Sequence, residues 1–187
     1  VKRALKKAKF RRLGSLKHGE IVRTAGQVEF IDEPLAAPLT SKKCAYYKVL
    51  VEREGSGEDS SWTEYISEEK FQNFYISNAT TKVLVNTKVV LSHLVMDARF
   101  DSGFLNDPGK HLEEYLESHG KSATNLIGLN KKLRYSEATL VEGEMVAVAG
   151  KVEALSSISN RGDTLFQITH YDDKEVVITD DSTLLDN

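Results

Sequence analysis

The chain has 187 residues, 40% of them hydrophobic and 28% charged, and a formal charge of −3, so it can bury a core in one domain or two small lobes and has no global field for nucleic acid. Cys44 is the only cysteine, which excludes an internal disulfide and any zinc site built from four cysteines or from two cysteines and two histidines. No apolar run approaches the roughly 20 residues of a membrane span and no signal-peptide pattern is present; with Val at position 1, an excised fragment is expected.

Residues 1–13 place Val1, Ala4, Leu5, Ala8 and, less well aligned, Leu13 on one face, which predicts a short amphipathic helix stopped by Gly14-Ser15. Lys2, Arg3, Lys6, Lys7, Lys9, Arg11 and Arg12 fall in residues 1–12 with no acid among them. Such a segment suits an anionic membrane surface, at about 1 kcal/mol per basic residue near the headgroups. The plainer reading is a surface helix packed on the domain by a narrow stripe.

A repeat follows. Residues 19–29 and 143–153 match without a gap at Gly19/Gly143, Glu20/Glu144, Val22/Val146, Ala25/Ala149, Gly26/Gly150, Val28/Val152 and Glu29/Glu153. Each copy is a turn signal, a short apolar run, an internal glycine and a further apolar residue. Glycine inside a strand marks a bulge, a bend or a close backbone approach, which is the pattern of a small, strongly curled barrel.

Between the copies, residues 44–52 read as a central strand, 54–61 as a polar loop, and Trp62 to Ile66 as the returning partner. Residues 71–77 and 81–85 predict a hairpin around Asn78-Ala79-Thr80, and 88–95 a continuation. Residues 97–132 break the strand pattern. Asp107-Pro108 is a helix start, Leu112, Tyr115 and Leu116 share a face, Glu113, Glu114 and Glu117 point outward, and Gly120 closes the helix, so a helical insertion is expected there. Strands are predicted again over 133–140, 144–154, 164–170 and 175–179, with a turn at 159–163 and a helix start at Asp180 or Asp181.

Chemistry-bearing patterns are few. There is no Walker loop, dinucleotide fingerprint, nucleophile elbow or His-Glu-x-x-His. His111 and His119 lie roughly 12 Å apart along one helix, too far for one metal. Cys44, in an apolar strand, reads as a buried small hydrophobe. An oligonucleotide-binding barrel would set exposed rings among Lys and Arg; Tyr46, Tyr47, Trp62, Tyr65, Phe71, Phe74 and Tyr75 instead alternate within apolar strands amid acids, and read as core.

Several of these stretches resemble the GIDE-type domain, the membrane-side portion of MULAN-like mitochondrial E3 ubiquitin ligases with similar domains in archaeal and bacterial membrane proteins. The resemblance rests on Gly-Glu-x-Val-x-x-x-Gly-x-Val, Pro38-Leu39-Thr40-Ser41, Cys44-x-Tyr46-Tyr47, Val51-Glu52, Trp62, Phe74-Tyr75-Ile76 with Val83-Leu84-Val85, and Val176 to Asp181. Its most specific block is Tyr135-Ser136-Glu137-x-x-Leu140-x-x-Gly143-Glu144. The chain departs from the family at Ser77 to Thr81, where members favour an Asp-Gly turn, which puts the register of that hairpin in question. The resemblance covers residues 17–182 and implies a domain lying between two transmembrane helices. In the ligases catalysis belongs to a separate zinc-binding RING domain, which one cysteine cannot build.

These readings together predict a mainly β protein, a curled OB-like barrel or two related small β lobes with a helical insertion at about 97–132. Residues 1–14 form a basic segment suited to a juxtamembrane position, 15–182 the domain and 183–187 a tail. The expected function is non-catalytic recognition of a protein partner by a membrane-anchored protein, the alternative being an OB-type single-strand nucleic-acid module. No cofactor or metal is expected. The motif residues to follow are Gly19, Glu20, Gly26, Tyr46, Tyr47, Trp62, Tyr135, Ser136, Glu137, Gly143, Glu144 and Gly150.

Overall fold

A run whose apolar side chains recur at every second position can bury one face only as a strand. In the computed structural model, which describes residues 8–55, 61–102, 109–124, 131–155 and 165–185, the chain is built almost wholly from such runs. In order they are β1 (Lys9–Phe10), β2 (Ile21–Phe30), β3 (Leu35–Ala36), β4 (Lys43–Cys44), β5 (Tyr46–Glu54), β6 (Trp62–Phe71) and β7 (Phe74–Ser77). After them come β8 (Lys82–Val85), β9 (Val90–His93), β10 (Ala98–Ser102), helix α1 (Lys110–Ser118), β11 (Leu133–Leu140), β12 (Met145–Leu155), β13 (Leu165–Thr169) and β14 (Val176–Thr179).

Five of these strands close into a barrel in the order β2, β7, β8, β13, β12 and back to β2. All neighbours are antiparallel except β8 and β13, which run parallel with Phe166 opposite Val83. A meander of three strands, a parallel step and closure by the fourth on the first is the OB-like arrangement, and it removes the sheet edges that an open five-stranded sheet would expose. Val22, Val28, Phe74, Ile76, Val83, Val85, Val146, Val148, Val152 and Ile168 fill its interior. Each such side chain stabilises the fold by about 1.5–3 kcal/mol of transfer free energy.

The two repeat copies are β2 and β12, and they pair with one another around a local two-fold. Gly26 lies opposite Val146 and Gly150 opposite Val22, with Thr24 facing its own counterpart Val148 at the centre. The hydrogen bonds obey the same symmetry. Gly19 N donates to Val152 O and Gly143 N to Val28 O, both at 2.8 Å, while Val28 N donates to Glu144 O at 2.9 Å and Val152 N to Glu20 O at 2.8 Å. Gly19 (φ 85°) and Gly143 (φ 81°) both turn through the left-handed region that a side chain disfavours. The copies therefore occupy equivalent positions in one barrel, not one position in each of two lobes.

Strands β1, β14 and β9 extend the barrel's sheet, and the long connections between barrel strands form a second layer. Strands β10, β11, β5 and β6 make an antiparallel sheet in that order. Its inner face packs Val49, Val51, Ile66, Leu133 and Tyr135, together with Cys44 of β4, in one cluster with Leu112, Tyr115 and Leu116 of α1. Where the sequence breaks the strand pattern from residue 97 in a helical insertion over about 97–132, the structure has a strand at Ala98–Ser102 paired with Glu137 to Leu133 of β11. Helix α1 is present and ends as expected, with Gly120 at φ 65° beyond it, while the Asp107-Pro108 start lies outside the described residues.

Two further expectations change. Residues 1–7 lie outside the described residues, but Lys9–Phe10, placed by the periodicity in a basic helix, is a strand running parallel to β2, with Lys9 opposite Val22. A tertiary ladder here overrides a short local pattern. The hairpin in question at Ser77 to Thr81 keeps its register, Ser77 opposite Lys82, because Asn78 Oδ1 accepts from Thr80 N at 3.0 Å and Thr81 N at 2.9 Å and so replaces an Asp-Gly turn. The turn predicted at 159–163 lies outside the described residues; Asp181 caps a short 3-10 turn, Ser182–Leu184. No described helix is long and apolar enough to cross a membrane.

Candidate functional site

The motif residues divide between the two layers. In the barrel, Glu20 is held by Arg11, whose Nη2 lies 3.3 Å from Oε1 and whose hydrogen bond keeps the carboxyl below its ordinary range. Its counterpart Glu144 accepts from Val141 N at 3.0 Å, and burial pushes its carboxyl up, with Asp180 and Asp97 adding to the rise. Both glutamates follow the turn glycines and brace the start of their strands. Gly26 and Gly150 are buried where the next strand crosses, and neither has a positive φ.

In the second layer, Glu137 is wholly buried on β11 and accepts from Leu39 N at 2.7 Å and from Thr40 Oγ1. It thereby fastens the Pro38 to Ser41 loop to the sheet. Tyr135, also wholly buried, belongs to the same core. Tyr46 enters the barrel core, its hydroxyl donating to Glu69 and lying 2.8 Å from Ser92 Oγ, while burial pushes the phenol far up. Of the aromatic residues expected in the core, Tyr46, Tyr47 and Phe74 are buried, whereas Trp62, Tyr65, Phe71 and Tyr75 are half-buried. Cys44 is fully buried, and burial with the nearby Glu137 pushes its thiol up to about 11, so it stays a thiol at neutral pH.

Glu68 ties α1 to the sheet. Its Oε1 accepts from Tyr47 Oη at 2.5 Å, its Oε2 from Tyr115 Oη at 2.8 Å, and His119 Nε2 lies 3.2 Å away. Burial pushes the Glu68 carboxyl up, but the two phenol hydrogen bonds and His119 prevail and hold it below its ordinary 4.5. A depressed carboxylate contributes stability above the unfolded value and loses it as pH falls through the folded one. The stability gap between the native chain and Glu68→Gln is therefore expected to be about 2 kcal/mol at neutral pH and to close below the ordinary carboxylate range. Urea melts across pH 3–7 read this, and a gap that widens on acidification would reverse the account.

The outer face of the same sheet carries an open groove of about 510 Å³. Leu50, Glu52, Met96, Arg99, Asp101, Arg134 and Ser136 line it. Register explains the convergence, since Glu52 on β5 pairs with Arg134 on β11, which pairs with Asp101 on β10. Arg134 grips Glu52 with two nitrogens, Nε to Oε2 at 2.6 Å and Nη2 to Oε1 at 2.8 Å, and lies 4.5 Å from the Trp62 ring centroid. The Glu52 carboxyl is held low by that hydrogen bond and the guanidinium is pushed up by it. Trp62 and Ser136 of the predicted set thus belong to this surface, and Tyr135 touches it from below. Arg99, Asp101 and Arg134 fall outside the predicted set, and Glu52 entered only through the resemblance; the available signal was charge at alternate positions of β5 and β11.

On the barrel's β7–β8 face, Lys82 lies 5.8 Å from the Tyr75 ring and is ion-paired with Glu29. Among the described residues no group of three or more His, Cys, Asp or Glu is placed to hold a metal ion. Fold and groove together define an OB-like barrel carrying an added four-stranded sheet. No protein-family model, curated protein or solved structure matches the chain.

Proposed function

We propose that the chain is a non-catalytic recognition module of a membrane-anchored protein, related to the substrate-facing domain of MULAN-like ligases, with any RING domain outside this chain. The observation that carries the reading is the groove on the outer sheet face. It is open, about 510 Å³ in volume, and set with Arg, Glu and Asp side chains whose positions are fixed by cross-strand pairing. A guanidinium clamped by a carboxylate and stacked on tryptophan is the kind of rigid anchor that concentrates binding energy at protein interfaces. The alternative, an OB-type single-strand nucleic-acid module, would read the strand on the barrel's own β7–β8 face with free cations beside stacking rings, and there Lys82 beside Tyr75 is paired with Glu29. The membrane half of the proposal rests on the bases of residues 1–12, of which Lys9 and Arg12 are exposed and Arg11 is paired with Glu20.

One photo-crosslinking experiment in the intact protein in its native membrane tests both halves. A diazirine side chain at Arg99 is expected to capture a discrete protein, and one at Lys9 to capture lipid, while one at Glu114 on the outer face of α1 captures neither. Equal labelling from Arg99 and Glu114 would remove the groove as the binding surface, and a Lys9 probe that takes up no lipid would remove the membrane contact.

A further inference from the structure

Strands β5 and β6 pair in register from Tyr46 opposite Phe71 to Val51 opposite Ile66, and then slip, so that Glu52 faces Glu64 and Tyr65 is the extra residue of a bulge. A bulge re-aims the side chain it carries. Tyr65 is turned toward the segment that follows α1, where its hydroxyl donates to Ser122 O at 3.2 Å and receives Lys131 Nζ at 3.1 Å. Two more cations approach the same ring. Lys121 Nζ lies 5.0 Å from the centroid, Lys131 Nζ 5.2 Å and the Arg53 guanidinium carbon 5.6 Å. No carboxylate among the described residues pairs with Arg53, Lys121 or Lys131, whereas neighbouring Lys132 is paired with Glu54 at 2.7 Å.

Three positive charges gathered on one half-buried ring are out of keeping with a chain of net charge −3. Mutual repulsion makes such a cluster costly unless an anion joins it. The phenol itself registers the field. Burial pushes Tyr65 up, yet the Lys131 hydrogen bond, the Ser122 contact and the Lys121 charge outweigh it and hold the group below the ordinary phenol range. Glu113 and Glu117 line a hollow of about 160 Å³ together with Ser122, Ala123 and Thr124.

We propose that Arg53, Lys121 and Lys131, arrayed around Tyr65, form a binding site for a single phosphate monoester group. An arginine and two lysines supply forked and point-charge donors suited to a tetrahedral dianion. The site lies apart from the outer-face groove and does not depend on the function proposed for it.

Amide chemical-shift titration of the whole chain with O-phosphoserine at low salt tests this. Saturable shifts are expected at residues 53, 65, 121–124 and 131, with affinity falling about tenfold in Lys121→Gln and unchanged in Lys110→Gln. Lys121→Gln is the decisive variant, because Lys131 also donates to Ser122 O and its loss can disturb the segment. Shifts that fail to saturate, an equal loss in Lys110→Gln, or equal displacement by chloride at matched ionic strength would overturn the site. Co-sedimentation with phosphatidic acid vesicles, lost in Lys121→Gln and unaccompanied by any response to O-phosphoserine, would overturn the soluble ester and move the site to a lipid surface.

Discussion

Gly150→Val is expected to lower unfolding stability by about 3 kcal/mol or more, at the upper end of what overpacking costs. A Cβ built at Gly150 would lie 2.7 Å from Ile168 Cγ2 and 2.7 Å from Thr169 O. The methyl can turn away, but the carbonyl belongs to β13, paired with β12 through Lys151 opposite Thr169. Relief therefore requires the β12–β13 ladder of the barrel to part. The counterpart Gly26 is tight but less so, at 3.0 Å from Leu13 Cδ1 and from Ser77 O, so Gly26→Val should cost less than Gly150→Val and still well over 1 kcal/mol. Gln27→Lys, at the exposed position next to Gly26, should stay within about 0.5 kcal/mol. Urea melts of the three variants rank them, and coincident midpoints would mean that close approach does not constrain these glycines.

The second large effect is expected at Glu137, where truncation to Ala should cost about 3 kcal/mol. The carboxylate is fully buried and accepts from Leu39 N and Thr40 Oγ1, so its removal leaves a buried backbone donor with no acceptor. Thr40→Val alone should cost about 1 kcal/mol, and adding it to Glu137→Ala should cost almost nothing more, because the shared hydrogen bond is already gone. Limited proteolysis provides a second readout, with cleavage at residues 37–42 appearing in Glu137→Ala while the barrel stays protected. A Glu137→Ala midpoint near that of the native chain, with no new cleavage, would assign the loop's anchorage to other contacts.

Much of the barrel is legible in the sequence because its signals are local. Gly19 and Gly143 mark turns, Val22, Thr24 and Val28 alternate, and the gapless repeat carries an internal glycine in each copy, which a curled strand needs where a neighbour crosses. Failures occur where the deciding partner is remote. Ala98–Ser102 holds one large apolar residue, Phe100, and becomes a strand only because β11 offers an edge to it. Lys9–Phe10 fits a helical stripe locally and is drawn into a ladder by β2. The anchoring role of Glu137 depends on a backbone donor 98 residues away, and the Arg134–Glu52 clamp on a contact across 82. Spacing along the chain carries no trace of such pairs, although a glutamate in an otherwise apolar strand does announce that some donor must meet it.

The pairing of β2 with β12 also sets the order in which the molecule can assemble. Residues 21–27 find their partners at 145–151, so during synthesis the barrel has no closing strand until most of the chain has been made. Joining those ends across an unstructured excursion of about 120 residues would cost roughly 4 kcal/mol in loop-closure entropy. The inserted sheet shortens the path. Tyr46 pairs with Leu140, and Ala45 N donates to Leu140 O at 2.8 Å, so β5 and β11 bring the two sides of the excursion together beside the barrel. Once they are joined, only the short segments from Phe30 to Ala45 and from Leu140 to Met145 separate the clasp from the strands it must bring together. The second layer thus shortens the effective loop for the first, and a chain lacking it would face the full entropic search of a high-contact-order fold.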